Sequence, residues 1–250
     1  MRAVKHPART QLAILALLGA GDAWADQDSP HLVPSASTAV AGVQAPAPRT
    51  PEEEGWELLG TEPVTIRSRT RPGSSIRDLW AEGELNVPAQ DIQAALMDNE
   101  RYPSFMPYCK ESRFVGETEP DGGRNVYTRL DLPFVAPRDY VVKMNVMQLL
   151  SPDGRGAFRN QWTAVPDYLP ERAGTVRLRT NDGSWTVLAQ GPTRSYVIYR
   201  FTVDPGGMVP AFAANMANRT GVRDTMKAVQ KEALRRTEMR EAEARRRSPR

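Results

Sequence analysis

Between Trp56 and Val203 the chain reads as strands broken by turns, and the alternation within those strands constrains the fold more than any other feature. Residues 126–132 set Val126, Thr128, Leu130 and Leu132 against Tyr127, Arg129 and Asp131. Residues 138–147 set Tyr140, Val142, Met144 and Val146 against Asp139, Lys143 and Asn145. Residues 157–164 set Phe158, Asn160, Trp162 and Ala164 against Arg159, Gln161 and Thr163. Residues 175–181 set Val176, Leu178 and Thr180 against Arg177, Arg179 and Asn181. A period of two with one polar side predicts a sheet with one face covered and one face in water. The stretches "RPGSS", "EPDGGRN", "SPDGRGA", "TNDGS" and "AQGPT" predict turns between successive strands, hence an antiparallel order.

Two helices flank or follow these strands. "VPAQDIQAALMDNE" begins with Pro88 near its first turn and carries Ile92, Ala95 and Leu96 on one stripe. The last predicted strand stops at Asp204-Pro205-Gly206-Gly207, because proline lacks a ladder donor and glycine admits turn conformations. A helix is then expected from Pro210 to about Arg236, with Phe212, Met216, Val222, Met226, Val229 and Ala233 on one stripe. Gly221 interrupts it at a cost of about 1 kcal/mol relative to alanine.

One amphipathic helix cannot fill the concave face of a sheet of six or more strands. Either large side chains occupy the remaining space, or a ligand does. Arg138 begins the inward row of Tyr140, Val142 and Met144, and a buried guanidinium needs a partner. Glu111 is one candidate partner for it; an open strand end that reaches water is the alternative. Asn160 is likewise polar within an apolar row.

The ends differ in character from the middle. Residues 1–25 have the three-part pattern of an export signal: Arg2, Lys5 and Arg9, the run "LAILALLGA", then Ala23-Trp24-Ala25. Residues 26–55 are rich in proline, alanine and serine and read as a disordered linker. The formal net charge is +3, yet seven arginines and three glutamates between Arg235 and Arg250 alone give +4. The basic balance therefore reports residues 236–250, an Arg-rich tail suited to transient contact with anionic lipid headgroups, and not a nucleic-acid-binding surface. The folded domain is expected over residues 56–235, as a monomer.

Composition also narrows the chemistry. The two histidines, His6 and His31, both precede that domain, which removes histidine triads, histidine zinc sites and histidine bases from it. Cys109 is the single cysteine, so no intramolecular disulfide forms. No metal or cofactor is expected.

"QDIQAALMDNERYPSFMPYCKESRFV", "VYTRLDLPFVAPRDYVV", "FRNQWTAV" and the run from "VRLRTNDGSW" through "DPGGMVPAFAANMAN", in this order, resemble a bacterial START (StAR-related lipid transfer) domain. The resemblance covers about Trp56 to Arg235 and implies a helix-grip fold of the α+β class: a curved antiparallel sheet around a long C-terminal helix, with a hydrophobic tunnel between them. It implies a lipid carrier without catalysis, holding one phospholipid or sterol-like molecule; export, to the periplasm in preference to full secretion, is expected from residues 1–25 and not from the resemblance. It also implies an interior arginine at Arg138 with Glu111 as its acidic partner, and a lid hinged at Gly206 and Gly207. The wall would comprise Arg138, Tyr140, Val142, Met144, Phe158, Asn160, Trp162, Leu178, Phe212, Met216 and Met226. Two other readings use the same scaffold. A cyclase or hydrolase would have to work with Arg138, Tyr140, Tyr199 and Glu111, and an interaction protein would have a packed core and a binding tail.

Overall fold

The computed structural model describes residues 50–62, 64–71, 76–204, 206–207 and 220–247. The chain divides into two units, residues 1–54 and 55–250. Within the first, Thr50 and Glu53 close a short turn, the Thr50 amide donating to the Glu53 carboxylate at 2.7 Å. The predicted signal segment, and the linker up to residue 49, lie outside the described residues.

The second unit is built on one sheet. Its strands are β1 (Glu57–Gly60), β2 (Thr65–Thr70), β3 (Arg77–Leu85), β4 (Cys109–Val115), β5 (Arg124–Leu130), β6 (Arg138–Gln148), β7 (Ala157–Ala164), β8 (Val176–Arg177), β9 (Asn181–Ala189) and β10 (Ser195–Val203). They lie in the order β1-β2-β3-β10-β9-β7-β6-β5-β4, with each neighbouring pair antiparallel. Strand β8 pairs with β6 in parallel, off this path. Helices α1 (Ala89–Met97) and α2 (Tyr102–Phe105) connect β3 to β4, and α3 (Val222–Arg247) closes the described chain. A curved antiparallel sheet closed by a C-terminal helix is the helix-grip architecture.

The apolar stripe of α3 is the expected one: Val222, Met226, Val229 and Ala233 are buried. They pack with Ile92 and Leu96 of α1 and with Leu79, Ala81, Trp185, Val187 and Val197 of the sheet. Gly221 lies in the π-helical turn that leads directly into α3.

Three expectations are corrected. Helix α3 runs to Arg247, well past residue 236, so most of the proposed tail is helical. Its first arginines are held by carboxylates of α1 and its flank: Arg240 meets Asp91 at 2.8 Å and Arg236 meets Asp98 at 2.6 Å. "TNDGS" is not a turn, because β9 starts at Asn181 and runs straight through it. Gly183 serves close approach instead: a Cβ there would lie 2.4 Å from the Trp162 ring and 2.6 Å from the Arg200 carbonyl oxygen. Of residues 175–181, accordingly, Val176 and Arg177 alone form β8 and Asn181 opens β9.

The third correction concerns the outer face, which is not uniformly in water. Trp56, Trp80 and Ile198 form a buried cluster there, with Arg67 and Arg200 lying 4.9 and 4.0 Å from the Trp80 ring centre. Tyr127, Val141 and Val115 form a second, covered by Val165 and Leu169 of the β7–β8 connection.

Candidate functional site

The register of the sheet assigns each predicted wall residue to a face. Tyr140 lies opposite Thr128, Val142 opposite Val126, Met144 opposite Trp162, and Asn160 opposite Trp185. Side chains at paired positions share a face, so Arg138, Tyr140, Val142, Met144, Phe158, Asn160 and Trp162 all face inward with Ser112, Thr128, Trp185 and Tyr199. Leu178 has the same parity beyond β8 and is buried, as are Phe158 and Met226. Phe212 and Met216 lie outside the described residues.

Aromatic rings form one side of this surface. Trp185 stacks on Tyr199 with centres 3.9 Å apart and planes 5° from parallel, and Phe201 continues the stack 4.7 Å from Tyr199. Trp162 touches the main core that includes this stack and also a second inward cluster of Val126, Val142 and Met144 with Phe114 and Tyr140. All four apolar residues of the α3 stripe belong to the first cluster.

The polar groups on this face are sparse and screened from water. Burial pushes the Tyr140 phenol up to about 12, partly offset by a hydrogen bond with Thr128. Burial raises the phenols of Tyr102 and Tyr199 as well, and the Tyr102 hydroxyl donates to the Leu96 carbonyl at 2.7 Å. The Cys109 thiol is pushed up to about 11 by burial, so it stays protonated at neutral pH. The Ser112 and Thr128 hydroxyls lie 3.4 Å apart. Arg138 is 3 % exposed, donates to the Ala136 carbonyl, and has its guanidinium pKa lowered by burial.

The Glu111–Arg138 pair does not form. Glu111 lies opposite Arg129, on the outer face, and its carboxylate takes Arg172 at 3.1 Å and Arg113 at 3.2 Å. The cause is a bulge between Cys109 and Glu111, which shifts the alternation of β4. The hollow that Glu111 lines, with Tyr127 and Arg172, holds about 230 Å³ on that outer face. A buried pair does exist one residue further along the "PRD" stretch: Asp139 with Arg177, under residues 165–172. The outer-face parity of Asp139 was readable, but the loop covering it was not.

Sequence reasoning also missed the junction of α1 with α3. Besides Arg240, Asp91 receives the Thr237 hydroxyl at 2.7 Å. Glu232, 4 % exposed, is held by Arg235 at 2.6 Å and Arg236 at 2.9 Å. The signal was the Arg-rich run itself, read as a free tail.

Comparison with known proteins decides the family. Residues 85–230 match the family described as polyketide cyclase/dehydrase and lipid transport. The chain belongs to that family. It carries a START domain. Phosphatidylcholine transfer protein of Rattus norvegicus is 30 % identical over 184 residues, spanning 70 % of this chain and 84 % of that protein. A STAR-related lipid transfer protein from Xanthomonas axonopodis is 28 % identical with a TM-score of 0.61, covering 72 % of this chain and 99 % of that structure. Human STARD10, 19 % identical with a TM-score of 0.64 over 76 % of this chain and 77 % of its own, shares the fold. Within this START domain the β7 residue Phe158 shares the first cluster with the α3 stripe, while the inward residues of β5 and β6 form the second, and Trp162 touches both.

Proposed function

We propose that this START domain is a non-catalytic lipid carrier that holds one lipid against the inner face of its sheet. The observation that carries this reading is the division of that face into two apolar clusters. The α3 stripe packs into the first; the second, under β5 and β6, contains no described residue of α3. An acyl chain or ring system lying along Trp162 would bridge the two. The driving term is apolar burial, about 25 cal/mol per Å², hence on the order of 10 kcal/mol gross for several hundred Å² of lipid before association costs. The similarity to proteins named for lipid transfer supports the same assignment.

Release requires an opening. Gly206 and Gly207 have φ of +60° and +62°, conformations that suit glycine, and the Gly206 amide donates to the Asp204 carboxylate at 3.0 Å. We assign the pivot to this pair, with the far half of α3 kept on α1 by Asp91 and Asp98. Residues 1–25 would export the chain, with the periplasm as the favoured destination. Arg245, Arg246 and Arg247, at the exposed end of α3, would make passing contact with anionic headgroups.

An enzyme of the cyclase kind is the competing reading, since the family description includes that activity. The titration of the inward groups disfavours it. Tyr140 and Cys109 are shifted up to about 12 and 11, away from the range in which a base or nucleophile works at neutral pH. The test is purification of the chain from its native host, solvent extraction and mass spectrometry of what co-purifies, followed by uptake from labelled vesicles. One lipid per chain is expected. A well-folded protein that carries no lipid and extracts none overturns the proposal.

A further inference from the structure

Asn160 sits in the middle of the inward row of β7, between Phe158 and Trp162, and is 2 % exposed. Its amide nitrogen faces the Met144 sulfur at 3.7 Å, a weak acceptor. Its carboxamide oxygen is buried and has no hydrogen-bond partner. A second carboxamide converges on the same sulfur: Asn99, in the turn after α1, points its nitrogen at Met144 from 3.6 Å. A buried acceptor left unmet costs the folding equilibrium about tenfold or more, and an apolar residue of similar volume would avoid that. The acceptor stands opposite Trp185, whose ring is stacked on Tyr199.

We propose that Asn160 is a specificity-determining residue: its oxygen accepts a hydrogen bond from a hydroxyl or N–H group of the bound lipid. This rests on the lipid-carrier reading and narrows it. The group that meets the oxygen must come attached to an apolar body that can lie against the Trp185–Tyr199 stack. The ligand class is therefore a lipid with a neutral hydrogen-bond donor, such as a diacylglycerol or a sterol. Phosphatidylcholine carries acceptors and a quaternary ammonium but no donor, so it would leave the Asn160 oxygen unmet. On this point the chain departs from the cargo named in its mammalian relative.

The test uses the full chain and matched lipids. Vesicles of phosphatidylcholine are doped with dioleoylglycerol or its acetylated ester, and in a second series with cholesterol or its methyl ether. Bound lipid is then quantified by mass spectrometry. The free hydroxyl form of at least one pair is expected to be taken about tenfold over its blocked partner. Asn160→Leu is expected to abolish that preference while thermal unfolding shows the protein no less stable. Equal uptake within both pairs, or a preference that survives in Asn160→Leu, means that a buried water satisfies the oxygen and overturns the inference. Extraction of phosphatidylcholine alone also overturns it but leaves the carrier reading standing. Extraction of no lipid at all removes both. The wild-type comparison within each pair needs no variant, so it stands even if Asn160→Leu fails to fold.

Discussion

Arg177 and Asp139 close a two-pronged ion pair, at 2.8 and 3.2 Å, on the outer face of the sheet, with side chains 1 % and 0 % exposed. The remaining guanidinium hydrogens go to the carbonyls of Pro166, Leu169 and Pro170. This one arginine thus ties the β7–β8 connection to β6. Its pKa is raised, first by the hydrogen bond to Asp139 and against the effect of burial.

Removing one member leaves the other buried and uncompensated. Asp139→Ala is expected to cost about 3–5 kcal/mol in denaturant unfolding, whereas Asp139→Leu with Arg177→Met together cost far less. If the single and double variants are equally unstable, the pair itself is not what holds the loop.

Gly183 is predicted to tolerate no side chain. Gly183→Ala must displace the Trp162 indole or the β10 backbone, so a loss of about 1–3 kcal/mol is expected. Trp162 lies on the proposed lipid path, so its fluorescence and lipid uptake should change together. An unchanged emission spectrum with full stability would show that the sheet absorbs the methyl group elsewhere.

These two sites mark the limit of what alternation conveys. The inward rows of β6 and β7 and the stripe Val222, Met226, Val229, Ala233 were legible, because periods of two and 3.6 are properties of the local backbone. Alternation names the residues that share a face but not what covers that face. Asp139 therefore read as solvent-facing until the 165–172 loop was seen over it. Glu111, offered by the resemblance as the partner of Arg138, is turned to the other face by a bulge, which changes parity without changing composition. Gly183 read as a turn because glycine marks both turns and close approaches, and the ring that needs the room is 21 positions earlier in the chain. The end of α3 was least legible, since the contact that holds Arg240 spans 149 residues.

Glu232 gives α3 a pH dependence. Hydrogen bonds from Arg235 and then Arg236 hold its carboxyl below the usual glutamate range, against burial, which raises it. A depressed folded pKa means the stabilisation is complete above the unfolded value and fades as pH falls through the folded one. The stability difference between wild type and Glu232→Gln should therefore be constant from about pH 6 to about pH 8 and shrink below about pH 4. Denaturant midpoints measured across that range check it, and a difference that grows towards acid would reverse the assignment.

The last prediction concerns how the helix lets go. If α3 swings open about Gly206–Gly207, the junction at Asp91 and Asp98 is the latch that must part. Asp91 accepts from both Arg240 and Thr237, and Asp98 takes Arg236, so three side chains of α3 depend on two of the α1 region. Asp91→Ala with Asp98→Ala leaves their arginines without those partners but leaves the apolar stripe in place. Part-buried charge pairs of this kind contribute about 1 kcal/mol each, so the folded state should survive while the closed state is favoured less. Dissociation of a fluorescent lipid from the double variant should be several-fold faster than from wild type, with the association rate little changed. Because each kcal/mol is about a fivefold change in rate, the effect is readable by stopped flow. Unchanged release with lowered stability would mean that the far half of α3 stays on α1 while lipid leaves, and that the two aspartates act only on the fold.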